Sequence, residues 1–258
     1  MRPERYLALI QRDGARIADV ARAADLDRPV PTCPGWTVRD VVAHTAGVYR
    51  HKVACMRLER PPGDDDYEQA PPPGVDLLDW FDASLALLLA ELRERGPASP
   101  SYTWWPADRT VGFWYRRMAQ ETAVHRLDVE DGAGVPTPVD PDLALDGIDE
   151  VLDAFVADGW DTVTPEEWGG VDPHAGEGRT VAVRAGGRTW RTTILPDAMP
   201  LGRGDDGDDD GDADATVDGE PELVLLWLWG RRPDASVALG GDRSVLAAFR
   251  DRLRIATQ

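Results

Sequence analysis

The chain has 258 residues, 42% of them hydrophobic and 29% charged. That fits one large or two ordinary globular domains and excludes collagen-like, wholly disordered and membrane-embedded classes. Its 28 basic against 47 acidic side chains leave a net charge of −19, which repels phosphate backbones and anionic lipid surfaces, so neither nucleic acid nor a membrane is an expected partner.

Tyr6, Leu7, Ile10, Ile17, Val20 and Ala21 recur at helical spacing and predict a first helix over about 4–25, ended by a connection holding Pro29, Pro31 and Pro34. Thr37 and Asp40 stand at capping-box spacing before a second helix over about 38–58. Prolines, glycines and aspartates make 61–74 an exposed loop. Leu77, Leu78, Phe81, Leu85, Leu88, Leu89 and Leu92 form the stripe of a third helix over about 76–95, stopped by Gly96-Pro97. A fourth covers about 110–131, and four such helices joined by loops describe a bundle. Trp104, Trp105 and Trp114 read as packing at its end.

Past Gly132 the pattern changes. A helix over about 140–158 leads to two alternating runs, 179–185 and 188–195, around Gly186-Gly187, as in a β-hairpin. Residues 215–217 read as a further strand, 222–230 as a short apolar helix or strand, and 244–255 as a closing amphipathic helix. The expected architecture is therefore α+β in two domains, a helical bundle over 1–135 and a smaller mixed domain over 136–258.

The run 204–214, with seven aspartates, cannot bury enough surface to order itself and is expected to be mobile and dispensable. Asp206, Asp208, Asp210 and Gly211 partly fit a calcium loop, but the twelfth position is Val217 instead of Glu. Cys33 and Cys55 build neither a disulfide framework nor a CxxC site, and the N-terminal apolar stretch is too short for a secretory leader, so a reducing cytoplasm is the expected setting. No apolar run approaches the roughly 20 residues of a membrane helix.

Lys52 is the single lysine, which removes the Gly-Lys phosphate loop and leaves one carrier for amine chemistry. Of the four histidines, His125 stands four residues after Glu121, placing both side chains on one helix face. Such a pair can share a metal ion, and equally is what a solvated face shows. Met118, Ala119, Thr122 and Val129 share or flank that face while Arg116, Arg117 and Arg126 fall elsewhere, which turns the pair toward the bundle interior. His44, between Val41 and Val48, is expected to face the same core and to supply a third donor. Two imidazoles and one carboxylate leave coordination positions open for water or substrate, a catalytic pattern, with zinc as the favoured ion. His51 reads as a supporting or rim residue and His174 as surface.

The runs Thr32-Cys33-Pro34-Gly35-Trp36-Thr37-Val38-Arg39-Asp40-Val41-Val42-Ala43-His44 and Arg109-Thr110-Val111-Gly112-Phe113-Trp114-Tyr115-Arg116-Arg117-Met118-Ala119-Gln120-Glu121-Thr122-Ala123-Val124-His125-Arg126 resemble the mycothiol-dependent maleylpyruvate isomerase family. The resemblance implies a DinB-like four-helix bundle holding a divalent metal through His44, Glu121 and His125, and a sterol-carrier-like α+β second domain. It also implies mycothiol as thiol cosubstrate and a small electrophilic substrate, with the catalytic residues and substrate-clamping arginines left unassigned. A metal-bound thiol is deprotonated at neutral pH, and a thiolate can isomerise a cis double bond by addition, rotation and elimination. Isomerase or transferase activity is therefore expected, from a monomer or homodimer. The same ligand set also serves a non-enzymatic sensor or structural site, or a DinB-like hydrolase that uses bound water.

Overall fold

The computed structural model describes residues 1–204 and 213–257 and divides the chain into two compact units, Met1–Pro138 and Val139–Gln258. In the first, helices α1 (Pro3–Ala23), α2 (Val38–Leu58), α3 (Leu77–Arg95) and α4 (Val111–Ala133) form a four-helix bundle. α1 and α2 each pack against both α3 and α4, so α1 sits diagonally from α2 and α3 from α4. The interior is apolar and aromatic, with Ile10, Ile17, Tyr49, Phe81, Trp80 and Trp114 all buried. Helix boundaries follow local chemistry. The Thr37 hydroxyl accepts from the Asp40 N–H while the Asp40 carboxylate accepts from the Thr37 N–H, a reciprocal cap that fixes the start of α2. Asp76 and Thr110 cap α3 and α4 with side-chain oxygens. The 61–74 loop is mostly exposed, with one turn of 3-10 helix at Asp64–Asp66 and an ion pair from Arg50 to Glu68.

In the second unit, α5 (Pro141–Glu150) ends sooner than the sequence pattern predicts. At Val151–Phe155 the backbone widens into a π-turn, with the Val156 N–H on the Val151 carbonyl, and regular α-helix does not reach 158. After the single turn α6 (Pro165–Trp168) come strands β1 (Thr180–Ala185), β2 (Arg188–Thr193), β3 (Leu201–Gly204) and β4 (Ala215–Gly219). They are followed by α7 (Pro221–Leu228), β5 (Ala238–Gly241) and α8 (Arg243–Ala256). The sheet order is β3-β2-β1-β4-β5, with β1 and β4 parallel and every other pair antiparallel. Gly186 and Gly187, at φ of 55° and 76°, make the tight turn of the β1–β2 hairpin, which only residues tolerant of positive φ can do. The ambiguous apolar run is helix α7; it packs on β4 and α5, and α8 covers β1 and β4.

Most of the acidic run, including Asp206, Asp208, Asp210 and Gly211, lies outside the described residues. Its two ends do not behave as loose loop. Gly204 closes β3, and the Asp214 carboxylate accepts from the Thr180 N–H at 2.7 Å and pairs with Arg179 at 2.8 Å. Val217, the twelfth position of the calcium pattern, is a buried strand residue of β4.

Candidate metal centre

Within the bundle unit, α2 brings His44 against Glu121 and His125 of α4. His125 Nε2 lies 3.2 Å and His44 Nε2 3.5 Å from Glu121 Oε1, and the three donor atoms all fall within 4.8 Å of one another. Donors arranged tetrahedrally around one ion at 2.0–2.1 Å are about 3.3 Å apart, so this spacing suits a shared divalent cation and the N,N,O set suits zinc. The residues present thus fit the metal that the family resemblance implies.

The three side chains differ in exposure: His44 is 39% exposed, Glu121 16% and His125 9%. His44 therefore stands at a rim and not, as its spacing suggests, in the core. Of its flanking valines Val41 takes the interior and Val48 is only half-buried, and the His44 ring is held by edge contacts with Trp36 and His125, at centroid distances of 5.1 Å and 4.9 Å. Through it the cluster faces solvent.

Sequence spacing also misplaces Arg117. Its guanidinium donates to Glu121 Oε2 at 2.7 Å, leaving Oε1 toward the imidazoles, because the long side chain reaches one turn along α4 from a position beside the predicted face. Asp128, three residues after His125, was overlooked. Its buried carboxylate accepts from His125 Nδ1 at 3.0 Å and from the Thr32 hydroxyl at 2.9 Å. Such a carboxylate behind an imidazole fixes the tautomer and aims Nε2 at a cation. The His-x-x-Asp spacing on one helix was the available signal.

The electrostatics follow from this packing. Burial alone would push the Glu121 carboxyl up, but His125, His44 and Arg117 outweigh it and hold it well below the usual range. Burial likewise opposes charge on His125, yet Glu121 and Asp128 raise its pKa to about 9. In metal-free protein a proton therefore does part of the work of a cation.

The other singled-out residues lie apart. His51, one turn before Cys55, meets Lys52 Nζ at 2.9 Å, Cys55 Sγ at 3.7 Å and the Tyr67 ring. His174 is exposed and pairs with Glu177. Burial pushes the Cys55 thiol up to about 11, consistent with a small hydrophobe. Trp114 is buried, while Trp104 is partly exposed and, with Trp105, packs on Phe113.

A helical bundle with a His/Glu/His cluster between two of its helices, followed by a mixed α/β sheet unit, is the architecture expected of the family named above. Two family models agree: the mycothiol maleylpyruvate isomerase N-terminal domain matches residues 7–130, and the C-terminal domain of the same family matches 142–248. The chain belongs to the mycothiol-dependent maleylpyruvate isomerase family.

Solved structures of the mycothiol-dependent maleylpyruvate isomerase and of its histidine-to-alanine variant each match at a TM-score of 0.56 and 15% identity, over 93% of both chains, which shows a shared fold. A match to a UbiJ-SCP2 ubiquinone synthesis protein, 20% identical over 47% of this chain and 93% of that one, has a TM-score of 0.27 and carries no argument. No curated protein matches the chain. Among the described residues no helix is long and apolar enough to cross a membrane.

Proposed function

We propose that this chain is a divalent-metal-dependent, mycothiol-dependent enzyme of the maleylpyruvate isomerase type, acting by cis–trans isomerisation or S-transfer on a small electrophilic substrate. The observation that carries the reading is the convergence of His44, Glu121 and His125 on one point, with Asp128 behind His125. A divalent cation held there, zinc in the first instance, lowers the pKa of a bound thiol so that a thiolate is available at neutral pH. The protein's own groups do the positioning. Asp128 orients His125, Arg117 occupies the far oxygen of Glu121, Trp36 steadies His44, and the exposed side of His44 leaves an approach for thiol and substrate. Neither cysteine of the chain is needed as the sulfur donor, since mycothiol supplies it. The bundle and its cluster are expected to work in the cytoplasm, where low-molecular-weight thiols stay reduced.

Elemental analysis across five variants tests the metal. Glu121→Gln removes the one anionic donor while keeping a side chain of similar helix propensity, and His44→Ala and His125→Ala each remove an imidazole. All three should lose bound zinc with circular dichroism unchanged, and His51→Ala and His174→Ala should keep it. Full zinc occupancy in Glu121→Gln would move the site elsewhere. With the zinc-loaded protein, mycothiol and candidate electrophiles should give isomerised product or thiol adducts; thiol-independent hydrolysis would instead indicate a bound-water mechanism.

A further inference from the structure

The connection between α1 and α2 supplies none of the three donors, yet it bears on both imidazoles. Three backbone bonds close it on itself: Cys33 N–H to the Val30 carbonyl at 3.1 Å, Trp36 N–H to the Cys33 carbonyl at 3.0 Å, and Val30 N–H to the Trp36 carbonyl at 2.9 Å. The result is a fixed turn that leads straight into the cap of α2. It lies along the face of α4 on which Asp128 and Gly132 stand one turn apart, with Thr32 bonded to Asp128 and Val30 within 3.2 Å of where a Gly132 Cβ would stand. At its other end the Trp36 ring meets the His44 ring.

Asp128 is fully buried, and its two oxygens face different groups. Oδ2 lies 3.0 Å from His125 Nδ1, and Oδ1 accepts from the Thr32 hydroxyl at 2.9 Å. The last torsion of an aspartate is broad, so one bond to an imidazole leaves the carboxylate plane free to swing, and the imidazole with it. A second bond at the opposite oxygen fixes the plane. Threonine suits that task, because branching at Cβ stiffens χ1 and the closed turn holds its backbone. The contacts then run without a gap from Thr32 through Asp128 to His125, whose Nε2 lies 3.2 Å from Glu121 Oε1, and on to His44 Nε2 at 3.5 Å from the same oxygen.

We propose that Thr32 is a positioning residue for the metal site: its hydroxyl pins the Asp128 carboxylate, which holds the His125 ring with Nε2 aimed at the ion. Metal affinity is therefore set by the α1–α2 connection as well as by the two helices that carry the donors. The inference rests on the proposed function for the ion, and on the Thr32–Asp128–His125 contacts alone for the orientation of the ring.

Thr32→Val keeps the shape of the side chain and removes the hydroxyl, and Thr32→Ser keeps the hydroxyl. Zinc affinity, measured by competition with a chelator, should fall roughly tenfold in Thr32→Val, as expected when a partner behind a ligand is lost, and should recover in Thr32→Ser. The second readout needs no metal. In metal-free protein carrying 15N-labelled histidine, the His125 ring signals are assigned by their loss in His125→Ala. Thr32→Val should speed the exchange of the His125 Nδ1 proton with water severalfold, and Thr32→Ser should restore the slow rate. Arg28→Ala, which removes a bond from the same connection to the Ala133 carbonyl, controls for general loosening and should change neither readout. Unchanged zinc affinity in Thr32→Val, or a Thr32→Ser as impaired as Thr32→Val, overturns the proposal. Should Thr32→Val fail to fold, Thr32→Ala takes its place in both measurements. A wild type that binds no zinc, with faster His125 exchange in Thr32→Val, refutes the metal reading and keeps the hold of Thr32 on His125. Zinc binding that is equal in wild type and Thr32→Val does the reverse.

Discussion

His51 is half-buried beside the Lys52 ammonium, and burial together with that positive neighbour lowers its pKa to about 4. An unfolded histidine titrates near 6.5, so between pH 6.5 and 4 the unfolded chain binds the proton that the fold refuses. The neutral ring's contribution is whole above pH 6.5 and is lost as pH falls toward 4. Discounted for partial exposure, the loss at pH 5 is roughly 1 kcal/mol. Urea midpoints at pH 7 and pH 5 should therefore drop more for the wild type than for His51→Gln, which has no proton to take up. An equal drop would mean that His51 is protonated freely in the fold. The neighbouring ion pair of Arg117 and Glu121 is present in both proteins and cancels in the comparison.

The spacing of α2 from α4 decides whether His44 can share an ion with Glu121, and one glycine sets it. Gly132, near the end of α4, would place a Cβ 2.8 Å from Val38 and 3.2 Å from Val30, both buried and β-branched. Alanine there gains up to about 1 kcal/mol of helix propensity. The clash with Val38 at the start of α2, and with Val30 in the connection before it, costs about 1–3 kcal/mol and is relieved by parting the two helices. Gly132→Ala should thus lower the melting temperature and weaken zinc binding together, measured by scanning calorimetry and competition with a chelator. Unchanged zinc affinity would show that the α2–α4 distance has slack.

The same elements explain what could be read from sequence. α2 and α4 were legible because a reciprocal cap, long apolar stripes and an i,i+4 Glu/His pair are local signals. β3 and β5 were not: Leu201–Gly204 and Ala238–Gly241 lack β-branched and aromatic residues, and form by pairing at the sheet edges with β2 and β4. The same limit hid Arg117 and Thr32, whose partners depend on side-chain reach and on a facing helix.

At the scale of the molecule, each unit has its own interior, one around Ile17, Phe81 and Trp114, the other around Val183, Trp227 and Phe249. The three donors all belong to Met1–Pro138, so metal should stabilise that unit's folding and leave the other's alone. At a free zinc concentration of 100 times Kd the gain is about 2.7 kcal/mol, which for a unit of this size raises its melting temperature by roughly 10 °C. Scanning calorimetry of the full chain should resolve two transitions, of which zinc moves one. A chain of net charge −19 also gains from any divalent cation by screening, which calcium at the same concentration measures separately because it prefers six to eight oxygen ligands. Zinc should exceed calcium in the wild type and fall to the calcium level in Glu121→Gln. A zinc shift that survives this substitution would place the stabilising ion among the acidic side chains and not between α2 and α4.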